Sequence, residues 1–109
     1  MISKELLREV LGYNVISVDD KIYKHNISFK IPDRGKSFNE RVIKLNQHYI
    51  ANKCKIWAYN HKYTLHSYIT NNSAICSIDN REDSNFIADT EAEAVFLGAE
   101  WILNNKELT

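Results

Sequence analysis

Residues 37–60 read SFNERVIKLNQHYIANKCKIWAYN, and the way this stretch folds decides the architecture of the whole chain. Ser37 followed three residues later by Glu40 has the capping-box pattern, in which a hydroxyl accepts from the amide of the third helical residue and that residue's carboxylate reaches back. Behind it Phe38, Val42, Leu45 and Tyr49, then Ile50, Cys54, Trp57 and Ala58, follow helical spacing. The spacing predicts one long helix from residue 38 to about residue 59, with a break near Asn52 and an exit at Asn60-His61. A helix of that length separates two groups of shorter elements.

Upstream, Ser3 is placed to cap a helix running to Leu11, with Leu6, Leu7, Val10 and Leu11 on one face and Gly12 at the left-handed C-terminal position. Tyr13 to Val18 alternates, Asp19-Asp20 has turn composition, and Ile22 to Ile31 alternates again with Tyr23, His25, Ile27, Phe29 and Ile31 on one side. These two runs predict a hairpin. Pro32 to Lys36 joins the only proline to a glycine and reads as a loop.

Downstream, Tyr63 to Ile69 and Ala74 to Ile78 flank the turn Thr70-Asn71-Asn72-Ser73 and predict a second hairpin. Asp79 to Asn85 reads as a polar loop. Thr90 with Glu93 repeats the capping box, and Ala92, Val95, Phe96, Ala99, Ile102 and Leu103 stack on one helical face that Leu97 and Trp101 widen. The expected fold is therefore α+β in the order α-ββ-α-ββ-α: a four-stranded, mainly antiparallel sheet made from two hairpins, with helices packed on one face. One domain over residues 1–109 is the size expectation.

The formal net charge is zero, yet residues 1–62 hold twelve Lys/Arg against six Asp/Glu and residues 63–109 hold two against eight. Opposite halves either mingle on one surface or form a basic face and an acidic face that orient on a charged partner or a second copy of the chain. No apolar run reaches membrane-spanning length and no signal-peptide pattern opens the chain, so a soluble cytoplasmic protein is expected. Cys54 and Cys76 read as free, buried thiols.

Catalytic chemistry finds no purchase. His25, His48, His61 and His66 have none of the tight spacings that pre-position zinc ligands. The three glycines make no phosphate cradle, and Asp79 to Asn85 lacks the glycine and closing glutamate of a calcium loop. Neither enzymatic activity nor a cofactor is expected. Two surfaces are candidates for binding. Lys30, Arg34, Lys36, Arg41 and Lys44, with Tyr23, Phe29 and Phe38 nearby, have the composition that neutralises phosphates and stacks bases. Tyr59, Tyr63 and Tyr68, with Trp57, are more aromatics than one small core needs, and such residues anchor protein interfaces.

Lys53-Cys54-Lys55-Ile56-Trp57-Ala58-Tyr59 followed by Lys62-Tyr63-Thr64-Leu65, the helix from Asp89 to Leu103 with its Thr-Glu-x-Glu-Ala start and Glu-Trp-Ile-Leu end, and the opening Met1 to Leu7 together resemble a family of small proteins encoded by bacteriophages and prophages. The matched positions are core and capping residues, so the resemblance carries over no site residue. It implies a non-enzymatic accessory protein that binds a host or phage protein complex, among them anti-defence (anti-CRISPR-like) inhibitors. The other reading is a nucleic-acid-binding regulator using the basic segment from Lys30 to Lys44. A homodimer is compatible with both.

Overall fold

The computed structural model describes residues 2–19, 21–33, 39–79 and 85–105. Among these residues three helices and six strands follow in the order α1 (Lys4–Leu11), β1 (Ser17–Val18), β2 (Asn26–Pro32), β3 (Glu40–Asn46), α2 (Gln47–Asn60), β4 (Leu65–Ile69), β5 (Ala74–Ile78), β6 (Asn85–Ala88) and α3 (Glu91–Asn105). The class is α+β as expected, but the strands form two separate antiparallel sheets, β1-β2-β3 and β4-β5-β6, instead of one four-stranded sheet. The order is α-βββ-α-βββ-α.

Both corrections to the strand count concern segments that pair with the strand just before them in the chain. Residues 40–46 are a strand, not the first half of a long helix. Asn26 to Pro32 pairs with Asn46 to Glu40 in unbroken register, setting Ile27 against Leu45, Phe29 against Ile43 and Lys30 against Val42. Val42 and Leu45 satisfy a helical repeat, but Ile43 and Leu45 equally satisfy a period of two, and the ladder to β2 selects the strand. Helix α2 then begins without a capping box: the Asn46 side chain accepts from the His48 amide at 2.8 Å. From there the helix runs unbroken past Asn52 to Asn60, burying Gln47, Ile50, Ala51, Cys54, Trp57 and Ala58. Ser37, Phe38 and the loop glycine Gly35 lie outside the described residues. The second correction is β6, four residues where a polar loop and helix start are expected, paired so that Phe86 faces Cys76 and Ala88 faces Ala74.

Other boundaries agree with their local signals. Ser3 Oγ accepts from the Leu6 amide, and Gly12 takes φ 77° with its amide on the Arg8 carbonyl. Thr90 Oγ1 accepts from the Glu93 amide at 3.2 Å. Of the predicted strand from Tyr13 to Val18 only Ser17–Val18 pairs.

One hydrophobic core draws on all three helices and both sheets. Helix α3 covers the second sheet and packs on α2, while α1 packs on α2 and α3. Leu97 is exposed, so it does not widen the buried face of α3. The first sheet turns Ile27 and Phe29 inward, together with Val15 from the preceding connection. Its other face carries the connection between β1 and β2, and the molecule is flat, with principal extents of 48 × 34 × 17 Å.

Candidate functional site

The register of β2 and β3 sorts the basic residues between two faces. Ile27, Phe29 and Ile31 point to the core with Leu45, Ile43 and Arg41 opposite them. Asn26, Ser28 and Lys30 point outward, paired with Asn46, Lys44 and Val42. Lys30 and Lys44 therefore share the outer face, diagonally placed across Val42, whereas Arg41 belongs to the other face at the end of the sheet. Arg34 and Lys36 lie outside the described residues.

Above this face runs the connection from β1 to β2. Asp19 Oδ1 accepts from the Lys21 amide at 3.0 Å, an Asx turn that starts the loop. Tyr23 and Asn26 then exchange backbone hydrogen bonds across Lys24 and His25 at 3.2 and 2.9 Å, closing a two-residue turn. Lys24 and His25 have φ of 50° and 66°. This is the primed turn that matches the twist of a hairpin, normally built from Asn-Gly. Because neither residue is a glycine or asparagine, the sequence reads as continuous strand through this point and the turn is not foreseen. Loop and sheet enclose an open groove of about 520 Å³ lined in part by Lys21, Ile22, Tyr23, Lys24, Val42 and Lys44. Tyr23 is 69% exposed with Lys24 Nζ 5.4 Å from its ring centre, and Val42 is 53% exposed. Lys30 adds a fourth cation beside the groove, 3.6 Å from Glu40. Among the described residues four lysines meet two carboxylates, Asp19 and Glu40, so this part of the groove is basic with apolar side chains between its charges.

Of the three tyrosines singled out for a binding surface, Tyr63 is in the core. Tyr63 is only 6% exposed and stands edge-on to Trp101 with ring centres 6.2 Å apart. It is a core residue, drawn in because the α2 exit returns the chain toward α3 through the Tyr63 amide on the Ala58 carbonyl. Trp57 is buried as well. Tyr59 is exposed at the end of α2, and Tyr68 sits on the outer face of the second sheet in a row with Ile75 and Ile87.

The cysteines are poor nucleophiles. Both are free and buried. Burial, and then the carboxylate of Glu100, pushes the Cys54 thiol far above its ordinary value. Burial raises Cys76 to about 11 against a lowering by Lys55. Cys76 is on the helix-facing side of β5 opposite Ser67, while His66 points to the outer side opposite Ser77. His61 caps α2 seven residues beyond Cys54, about 10 Å along the helix, and packs tilted against Trp57 with ring centres 4.9 Å apart. Among the described residues no group of three or more His, Cys, Asp or Glu side chains is arranged to hold a metal ion, and no helix is long and apolar enough to cross a membrane. Compared with models of protein families, with curated proteins and with solved structures, the chain finds no match.

Proposed function

We propose that this chain works by non-catalytic binding, seating an acidic surface of a host or phage protein on the outer face of the first sheet. The observation that carries this reading is the convergence of Lys21, Lys24, Lys30 and Lys44 with Ile22, Tyr23 and Val42 on one side of β2 and β3. Cations give orientation and on-rate, and exposed aliphatic and aromatic side chains between them supply area that loses water on contact. The turn at Lys24-His25 sets the rim of the groove through two left-handed non-glycine residues, the kind of local cost that accumulates at working sites. With the phage-type resemblance, the reading becomes an accessory protein that inhibits a bacterial defence complex.

Affinity capture from bacterial lysate, with and without nuclease, tests it with wild type beside the Lys30→Glu/Lys44→Glu variant. A nuclease-resistant complex retained by wild type and lost by the variant is the expected result. Retention of the same proteins by both overturns the assignment of this face.

A second reading, a nucleic-acid-binding regulator, is favoured by Tyr23, an exposed ring with Lys24 over it, the pairing of aromatic and cation that a stacking platform uses. Its signature is retention on single-stranded DNA or RNA that falls with salt, with a slope reduced by about 1 for each lysine removed.

A further inference from the structure

The outermost strand of the first sheet, β3, has one ladder to β2 and one open side. Which backbone groups face that side follows from the hydrogen bonds at the ends of the ladder. The Asp33 amide donates to the Asn39 carbonyl at 2.9 Å and the Gln47 amide to the His25 carbonyl at 2.7 Å, so odd-numbered residues of β3 point their backbone groups at β2. Glu40, Val42, Lys44 and Asn46 point theirs away, and among the described residues no strand takes them up. A seven-residue edge of this kind is a ready template for another strand.

We infer that the open edge of β3 pairs antiparallel with the same edge of a second copy of this chain, Val42 lying opposite Val42 on the two-fold axis. In this register Val42 faces Val42 and Glu40 faces Lys44 of the other copy, each pair exchanging both backbone hydrogen bonds. Charge selects the occupant and the register. Glu40 and Lys44 stand two residues either side of Val42 on the outer face and carry opposite signs, a pattern complementary to its own antiparallel copy. Moving the axis to Ile43 keeps the hydrogen-bond phase but sets Lys44 against Val42. Moving it to Lys44 brings two lysines together. The paired edges form one six-stranded sheet whose two basic faces lie side by side. A strand pair buries less than the roughly 1,200 Å² of a standard interface, so the dimer forms with rising concentration.

Sedimentation equilibrium from micromolar to millimolar protein tests the pairing. Wild type should rise from 12.7 kDa toward twice that mass. Val42→Pro removes an amide that points to the open edge, leaving the ladder to β2 complete, and should stay monomeric with unchanged circular dichroism. Glu40→Lys should also stay monomeric, and Glu40→Lys/Lys44→Glu should associate again. Within one chain these two positions are about 13 Å apart along the strand, so restoration by the exchange reports contact between chains. The charge exchange decides the matter should the proline variant lose its fold. A wild type that remains monomeric throughout, or association indifferent to Glu40→Lys, overturns the inference.

Discussion

Gly98 lies where α3 crosses the second sheet, so near Cys76 that a Cβ built on it would stand 3.1 Å from Cys76 Sγ and 3.2 Å from Leu65 Cδ2. The close approach lets one helix cover all three strands. Helix propensity favours alanine there by about 1 kcal/mol, but forcing a methyl group into a packed layer costs about 1–3 kcal/mol. Gly98→Ala is therefore expected to destabilise by about 1 kcal/mol. The Gly98→Ala/Cys76→Ala double variant should be more stable than the sum of its parts by about 0.5 kcal/mol or more in urea denaturation. Simple additivity would refute the contact.

The raised thiols make stability fall in alkali. Cys76 titrates near 11 in the folded chain against about 9 in the unfolded one, and Cys54 is raised further. Between those two values the unfolded chain has released protons that the folded chain keeps, so stability decreases as pH rises, by at most about 1.4 kcal/mol per pH unit for each thiol. Below pH 9 the term is constant. Denaturation midpoints from pH 8 to 11 should fall less steeply in Cys76→Ala than in wild type, and a parallel decline in both would exclude the thiol as the cause.

Glu100 on α3 fixes the start of α1. Its Oε1 accepts from the Ser3 amide at 2.9 Å and from Ser3 Oγ at 2.7 Å, while Ser3 Oγ itself accepts from the Leu6 amide. Glu100→Ala strands two partly buried donors and is expected to cost about 1–3 kcal/mol. Glu100→Gln, which keeps the acceptor, should recover most of that. Hydrogen exchange is the readout that locates the effect, with amides of α1 losing protection before those of α3.

At the rim of the groove, Lys24→Asn should stabilise the protein by about 0.5–1 kcal/mol, since asparagine adopts the left-handed conformation with less strain. The expected gain in melting temperature is about 2–6 °C. His25→Gly relieves the neighbouring strain but removes the ring whose Nδ1 stands 3.2 Å from Gln47 Nε2, so its gain should be smaller. Equal melting temperatures for wild type and Lys24→Asn would show that the turn stores no such strain.

Both ends of α1, the start of α3, the exit of α2 and the second hairpin were legible because their signals are local. A hydroxyl three residues before a glutamate, a glycine after the last apolar position and a polar tetrapeptide between alternating runs each act through bonds spanning a few residues. The segment from Glu40 to Asn46 was not legible. Its apolar side chains fit periods of 3.6 and of 2, and the choice rests on a ladder to residues 26–32 beyond a loop. β6 is four residues long, too short to show a repeat. The candidate site divides the same way. Lys30 and Lys44 were named from composition, but only register sets them on one face and Arg41 on the other.

By itself, then, the sequence determined the α+β class, the first and last helices, the buried free thiols and a basic N-terminal half, all consequences of spacing, capping and composition. Tertiary structure decided the rest: two sheets in place of one, Tyr63 in the core against Trp101, and the groove over β2 and β3. Those features depend on how separate segments pair and pack in three dimensions, and an isolated segment carries no record of its partner.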